Sequence, residues 1–386
     1  MMSALDVMIF SKSGIMQSTS LGRRQAWRFV LAAGLAVLLP SCRGPTPRPP
    51  DGSAARDRLL WPEPPERPRF AYEFALRSPA DIAGDGELDQ LRRALTGEQP
   101  SELPAFAKPA AVAAQHGRIY VTDTAAHAIV VFDVPRRRVF RFGLREPGTL
   151  RTPVGLALDD SGRVYVADAG RREVVLFDSL GLFLRTIGGP TVLARPTGVA
   201  VSGDGERVYV VDRADNDSDR HRVVTFDAGG NRLLEIGRRG QLPGEFNAPL
   251  QAAVGLDGTL YVLDSGNFRV QAFDRDGRFL RSFGKVGTGL GDLARPRGLA
   301  LDPEGNVYIT DAAFANVQVF DPEGRLLLAI GEAGDADRPG RFALPIGIAV
   351  DETRRVYVVD QRFNKVEVYR RVGEAEADAL ARGTKQ

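Results

Sequence analysis

The pentapeptide VYVAD, at Val164–Asp168, recurs along the chain, and its spacing decides the fold. Its variants IYVTD, VYVVD, LYVLD and VYITD also end in aspartate, so that the six copies place Asp123, Asp168, Asp212, Asp264, Asp311 and Asp360. Successive aspartates lie 45, 44, 52, 47 and 49 positions apart. This period fits one four-stranded propeller blade and is too long for a leucine-rich or tetratricopeptide repeat. The sequence therefore predicts an all-β propeller built from six repeats.

Each repeat is predicted to contain four strands. An opening strand follows a proline, as in PVGLAL at Pro153–Leu158, and a polar turn leads into the VYVAD strand. A third strand such as VVLFD and a fourth such as FLRTIG follow, separated by a DxxG-type turn. An apolar residue also stands three positions before each opening proline, at Phe106, Leu150, Leu193, Phe246, Leu293 and Phe342. We expect these six residues to hold the linkers between blades in the core.

The sixth repeat lacks a copy of the fourth strand after residues 366–370. Upstream of the first repeat, RFAYEFAL at 69–76 alternates strictly. This alternation predicts a half-buried strand with Phe70, Tyr72, Phe74 and Leu76 on one inward face. We predict that this N-terminal strand completes the sixth blade, so that antiparallel four-stranded blades form a closed ring without open edges. The predicted repeats span residues 106–143, 150–188, 193–237, 246–284, 293–331 and 342–370, within a propeller over 69–370 that is followed by a polar tail over 371–386.

This pattern resembles the NHL-repeat family of β-propellers, whose units read roughly as proline, glycine, small apolar residues, VYVAD, a loop and RVQVFD. The sequence LYVLDSGNFRVQAFD at 260–274 is the best match, and the resemblance covers about residues 106–369. The resemblance implies a six-bladed propeller. It does not imply one activity, because propellers serve as sensors, binding scaffolds, lyases and lactonases.

The N-terminus has the features of an export signal. Arg23, Arg24 and Arg28 precede an apolar run of 11 residues at 29–39, which is short for a membrane span and suits a signal peptide. The following residues, LPSC, resemble the lipobox of bacterial lipoproteins, although Pro40 departs from the usual small residue. The resemblance implies cleavage before Cys42, the chain's only cysteine, and diacylation of its thiol.

We therefore predict a signal peptide over 1–41, with Met16 as an alternative start, and a lipidated, proline-rich tether over 42–68. The adjacent Arg23 and Arg24 leave the general secretion and twin-arginine routes both open. The predicted location is the cell envelope, and Arg43, which is not acidic, favours the periplasmic side of the outer membrane.

Removal of the signal peptide changes the charge balance. The full chain has a formal net charge of +2, and the four cations and one anion before Cys42 account for +3, which leaves the mature chain near −1. A chain this close to neutrality has no global field that attracts nucleic acid. We therefore expect an envelope protein or another extracytoplasmic ligand as partner, with the membrane contacted through the lipid anchor.

Candidate catalytic residues are sparse. The three histidines, His116, His127 and His221, form no metal-binding motif with a second ligand at a characteristic spacing. We expect the six motif aspartates to cap the turns that follow them. We therefore favour a binding or scaffolding module, with a metal-dependent hydrolase or lyase at the central channel as the alternative. Convergent carboxylate, Asn or His side chains around the axis would favour the enzyme, and small or apolar groups the scaffold.

The third repeat departs from the period, because ten residues separate Asp212 from Val223 where the other repeats have five. Asp215, Asp217 and Asp219 stand there at D-x-D-x-D spacing, which makes them candidate ligands of calcium. The stretch is not an EF-hand, since arginine and phenylalanine occupy the positions that require Gly and Glu. A solvated acidic loop is the alternative interpretation.

The turns after the second strands and the linkers after the fourth strands should emerge on one face of the ring. Arginine and aromatic side chains are common in recognition surfaces because they combine stacking with directional hydrogen bonds. The candidate binding residues on this face are Arg171, Arg172, Phe268, Phe314, Arg362 and Phe363.

Overall fold

The computed structural model describes residues 59–83 and 103–383, together with residues 91, 94, 95 and 97 between them. The predicted signal peptide, Met16, Cys42 and most of the tether lie outside the described residues. The described residues form the predicted all-β propeller of six antiparallel blades.

The strands are numbered within each blade from the central channel outwards. The first strands of blades 1 to 6 are Pro109–Gln115, Pro153–Leu158, Pro196–Val201, Gln251–Val254, Pro296–Leu301 and Pro345–Val350. The second strands are Arg118–Asp123, Val164–Asp168, Arg207–Arg213, Leu260–Asp264, Val307–Asp311 and Val356–Asp360. The third strands are Ala128–Asp133, Glu173–Phe177, His221–Asp227, Arg269–Phe273, Asn316–Phe320 and Lys365–Arg371. The fourth strands are Arg138–Phe142, Phe183–Gly188, Arg232–Ile236, Phe279–Phe283 and Leu326–Ile330 in blades 1 to 5, and Phe70–Leu76 in blade 6.

The six first strands form a closed ring, in which each contacts the first strands of both neighbouring blades. The ring is tight because several of these strands carry glycine at the closest approach. A Cβ atom on Gly155 would lie 2.9 Å from the Cα of Gly198, and one on Gly347 would lie 2.5 Å from the carbonyl oxygen of Ala110. Glycine is therefore required where neighbouring backbones meet around the channel.

The core consists of apolar layers between neighbouring blades. Tyr165 and Ala167 of blade 2, for example, pack against Val199 and Val208 of blade 3. Because each second strand faces a neighbouring blade on both sides, the four residues before the aspartate of VYVAD are all apolar rather than alternating with polar ones. The apolar residues before the opening prolines, from Phe106 to Phe342, are all buried as predicted.

The N-terminal strand closes the ring as predicted. Phe70–Leu76 pairs antiparallel with the third strand of blade 6, with Phe70 opposite Arg371 and Leu76 opposite Val366. A bulge between Tyr72 and Phe74 interrupts the predicted single inward face, so that Phe70 and Leu76 are buried whereas Tyr72 and Phe74 are half-buried.

Two segments differ from the sequence-based expectation. Leu60–Trp61, predicted as part of the tether, pairs with Phe70 and Ala71 as an outer fifth strand of blade 6 in the described residues. A segment of two residues carries no periodicity, so its pairing could not be anticipated. The predicted polar tail contains a helix, Glu374–Gly383, whose buried Ala377 packs in one cluster with Leu60 and Ala71. In the part of the chain that the structure describes, no helix has the length and apolar character of a membrane span.

Candidate functional site

Two sets of connections meet on one face of the ring, which we call the upper face. They are the turns between second and third strands and the linkers that enter the first strands. The strand register requires this arrangement, because Pro153 at the start of one strand lies opposite Asp168 at the end of the next. The remaining turns form the lower face. The predicted sharing of a face by these loops is therefore correct.

The motif aspartates hold the upper face together. Asp168 accepts hydrogen bonds from the backbone N–H groups of Arg151 and Thr152, in the preceding linker, at 2.6 and 2.9 Å. It also accepts from Gly170 and Arg171, in the following turn, at 2.9 and 3.0 Å. The predicted turn cap is confirmed, and the structure adds the contact to the linker. A buried carboxylate occupied in this way has little capacity left for a ligand.

The predicted arginines have different surroundings. Arg172 and Arg362 are exposed on the upper face. Arg171 instead forms an ion pair with Glu173 and donates a hydrogen bond to the carbonyl oxygen of Thr149 at 2.6 Å. Its side chain therefore holds a linker, and only the exposed arginines are free to meet a partner.

The predicted aromatic residues are half-buried rather than exposed. Phe268 packs on the core between blades 4 and 5 and has a φ of 56°. The ring of Phe363 covers the buried Lys365, whose Nζ lies 5.2 Å from the ring centroid. Phe314 lies at the equivalent turn of blade 5 and is half-buried as well. These side chains contribute to the structure of the turns, and only part of each is available for recognition.

The acidic insertion of blade 3 closes on itself. The N–H of Ser218 bonds to the carbonyl oxygen of Asp215 at 2.9 Å, and Ala214 bonds to that of Arg220 at 3.2 Å. Asp215, Asp217 and Asp219 are exposed. Across the described residues, no three His, Cys, Asp or Glu side chains are grouped so as to hold a metal ion, and this includes these three. The structure therefore does not assemble the predicted calcium ligands, because local hydrogen bonds shape this loop.

Two further arginines, which were not among the predicted binding residues, lie at the upper mouth of the channel. Arg213 follows the motif aspartate of blade 3, and Arg297 follows the opening proline of blade 5. Both side chains are half-buried, and the Nε atom of each is buried without a hydrogen-bond partner in the described structure. Alignment of the repeats could have revealed them, since the other repeats carry uncharged residues at both positions.

Arginine side chains dominate the electrostatics of the mouth. Burial lowers the pKa of Arg213, and the nearby charge of Arg195 lowers it further. Burial also lowers the pKa of Arg297, and repulsion by Arg295 and Arg213 adds to this effect, whereas Asp311 opposes it. Arg213 also donates its backbone N–H to the carbonyl oxygen of Arg195 at 3.1 Å, and Arg295 and Arg297 flank Pro296. The four arginines therefore lie where the chain enters blades 3 and 5 on the upper face.

The lower face carries a cleft of about 530 Å³ between blades 2, 3 and 4, rimmed by Asp160, Asp204 and Asp257. Two of these carboxylates cap their own turns. Asp204 accepts from the N–H of Glu206 at 2.9 Å, and Asp257 accepts from that of Thr259 at 2.9 Å. The hydrogen bond from the Ser202 hydroxyl also lowers the pKa of Asp204. Turn structure thus explains two of the three carboxylates of this rim.

With the geometry established, sequence comparison identifies the repeat. Residues 150–177, which run from the blade 1–2 linker through the third strand of blade 2, match the family model of the NHL repeat. The second blade contains an NHL repeat. The chain is also 31% identical over 137 residues to the protein brain tumor of Drosophila melanogaster, a match that covers 34% of this chain and 12% of that protein. Since the match spans about an eighth of the relative, the activity of the whole relative does not transfer.

Solved structures share the propeller fold. A streptogramin B lyase superposes with a TM-score of 0.51 at 14% identity, over 70% of this chain and 95% of the lyase. A Bacteroides thetaiotaomicron protein of unknown function superposes with a TM-score of 0.56 at 19% identity, over 77% of this chain and 76% of that protein. A Xanthomonas campestris gluconolactonase superposes with a TM-score of 0.51 at 19% identity, over 69% of this chain and 87% of the gluconolactonase. At these identities the likeness concerns the fold alone.

Proposed function

We propose that this NHL-repeat propeller is a membrane-anchored, extracytoplasmic binding or scaffolding module, and that its upper face recognises a protein or another ligand of the envelope. One observation carries the proposal. The carboxylates that recur in every repeat are occupied by backbone N–H groups, whereas the upper face exposes arginines such as Arg172 and Arg362. A surface of this kind suits recognition, because arginine contributes directional hydrogen bonds and stacking.

The alternative is a metal-dependent hydrolase or lyase with its site in the channel. Arg213 and Arg297 argue against it, since guanidinium groups at the mouth repel a cation. The first strands add mainly small or apolar residues around the channel, such as Ala110, Val154 and Ile346. We therefore favour the binding module over the metal-dependent enzyme.

The proposed location rests on the residues before the propeller. The apolar run at 29–39 and the solitary Cys42 support export, cleavage and diacylation. Labelling of cells with a fatty-acid analogue tests this. We expect the wild-type protein to be labelled and Cys42→Ala to be unlabelled and to retain its signal peptide. Labelling of Cys42→Ala would refute the lipid anchor.

Recognition is tested in cells by a photo-crosslinking amino acid placed at Arg172 or at Arg362. Matched variants carry the same amino acid at Arg278 or at Glu323, which are exposed on the lower face. We expect defined crosslinked species from the upper-face positions, with the partner then identified by mass spectrometry. Equal crosslinking from both faces would contradict a recognition surface on the upper face.

A further inference from the structure

Arg213, directly after the motif aspartate of blade 3, places a positive charge at the channel mouth that the structure of the ring does not require. The residue after the motif aspartate is uncharged in the other blades: Thr124, Ala169, Ser265, Ala312 and Gln361. Ser265 donates its hydroxyl to the carbonyl oxygen of Pro296 at 2.9 Å, and Gln361 donates its amide to that of Pro109 at 2.9 Å. These short polar side chains join neighbouring blades. A guanidinium group at the same position, in Arg213, is not needed for that role.

The two central guanidinium groups are poorly satisfied. Among the described residues, Arg213 makes one side-chain hydrogen bond, from Nη2 to Oδ1 of Asn216 at 3.2 Å, and Arg297 makes none. Neither forms an ion pair with a described residue. The buried Nε atoms have lost water without gaining an acceptor, which costs free energy.

Neighbouring groups add to the positive field instead of neutralising it. Arg195 and Arg295 stand directly before the opening prolines of the same two blades, and their side chains are exposed. Asp311, the acidic group that acts on Arg297, is buried and accepts from the N–H groups of Ala294 and Ala313 at 2.8 and 2.9 Å. Its carboxylate is therefore shared with the backbone and leaves the arginines without a full counter-charge.

We propose that the upper mouth of the channel, between blades 3 and 5, binds a small oxyanion, a carboxylate or a phosphate group, through the guanidinium groups of Arg213 and Arg297. The planar donors of arginine match both groups and bind them with charge-assisted hydrogen bonds. Arg195 and Arg295, at the exposed rim, attract the anion from solvent. The inference goes beyond the proposed function, because it requires neither a lipid anchor nor a protein partner.

Calorimetric titration of the purified full-length protein tests the site, with sodium phosphate and sodium succinate as the probes at constant ionic strength. We expect Arg213→Gln and Arg297→Gln each to weaken binding by about tenfold or more, as the loss of a charge-assisted hydrogen bond implies. Arg275→Gln is the matched control, since it removes the same charge from an exposed position of the lower face. It should bind the probes like the wild type.

A second readout separates ligand binding from folding. Without an oxyanion, Arg297→Gln should melt at the same temperature as the wild type or higher, because it removes a half-buried charge that its neighbours repel. With phosphate or succinate in excess, the wild type should gain more in melting temperature than the variant. Stronger binding of phosphate would assign the site to phosphoryl groups, and stronger binding of succinate to carboxylates. The proposal is overturned if neither probe binds, or if both glutamine variants bind like the wild type.

Discussion

Blades 4 and 6 fasten the linker before their first strand in two different ways. In blade 4, Gln271 on the third strand donates its amide to the carbonyl oxygen of Glu245 at 2.7 Å. In blade 6, the equivalent Glu367 accepts from the N–H of Gly340 at 3.2 Å and pairs with Lys365 at 2.6 Å. Both members of this pair are fully buried. Blade 4 therefore has a neutral amide where blade 6 has a buried carboxylate. Blade 4 also has an ion pair at this place, in which Arg269 binds Asp264 at 2.9 Å and donates to the carbonyl oxygens of Leu242 and Glu245 in the linker.

The charges of blade 6 extend to the strand that closes the ring. The Nζ of Lys365 lies 2.9 Å from Oδ1 of Asp337 in the linker. Arg77, directly after the closing strand, binds the same carboxylate through Nε at 2.8 Å. The network therefore joins the third strand of blade 6, the linker before blade 6 and the end of the closing strand. We call this junction, where blade 6 receives a strand from the distant N-terminus, the seam. In blade 4, chain connectivity already holds the fourth strand.

Removal of the closing strand should have the largest effect on stability. Deletion of residues 69–76 exposes the edge of blade 6 and removes the buried Phe70 and Leu76. At about 2 kcal/mol for each large apolar side chain, we expect a loss of at least about 4 kcal/mol. Chemical denaturation measures it, with deletion of residues 43–57 as the control. Equal stability of the two deletions would show that the ring closes elsewhere.

Breaking the ion pair should cost more than breaking the amide contact. Glu367→Ala leaves the buried Lys365 without its nearest partner, which should cost about 3–5 kcal/mol. Gln271→Ala leaves the N–H of Gly244 unpaired, whereas the carbonyl oxygen of Glu245 keeps its bond from Arg269, and should cost about 1–3 kcal/mol. Urea denaturation of both variants compares them. If Gln271→Ala is the more destabilising, charge is not what distinguishes the seam.

The same pair should give blade 6 a distinct dependence on pH. Burial raises the pKa of Glu367, although Lys365 opposes the effect. A raised pKa means that the folded state holds the proton longer than the unfolded state, so the contribution to stability is full below the ordinary value of about 4.3 and falls as pH rises through the raised value.

Denaturation of the wild type and Glu367→Gln as a function of pH isolates this contribution. The wild type's free energy of unfolding, relative to that of the variant, should fall as the pH rises from the ordinary pKa of glutamate through the raised pKa of Glu367. Gln271→Ala, which removes no titrating group, should follow the wild type in parallel. An advantage that grows with pH would show that the ion pair, rather than burial, controls the titration.

The smallest effect is expected on the upper face. Arg172→Ala removes an exposed side chain, so it should leave the melting temperature unchanged. Arg171→Ala at the neighbouring position removes the hydrogen bond to the carbonyl oxygen of Thr149 and should lower the melting temperature. Differential scanning calorimetry compares the two. A lower melting temperature for Arg172→Ala would mean that this arginine also supports the fold.

The contrast between blades also explains what could be predicted from sequence. The blades and the closing strand follow from periodic residues such as Asp168 and from the alternation of 69–76. The charged seam does not, because Lys365 and Glu367 in a KVEVY strand are typical of a solvated strand face. Only the folded linker, which brings Asp337 and Gly340 over them, buries these charges.

The candidate site was predicted only in part, for a similar reason. The shared face follows from strand direction, but the burial of Phe268 and Phe363 depends on turn geometry that spacing does not specify. Arg213 and Arg297 are visible as departures from the repeat. Their proximity depends on the closed ring, since they belong to blades that are not neighbours.

We expect the seam of blade 6 to be as firmly closed as a blade with a continuous chain, which would give the upper face a rigid frame. Native-state hydrogen exchange tests it directly, because amide protection reports the free energy of local opening. We predict that the amides of Phe70–Leu76 exchange as slowly as those of Phe279–Phe283, the fourth strand of blade 4. Markedly faster exchange in Phe70–Leu76 would contradict the account, since the ring would then open at its N-terminal strand.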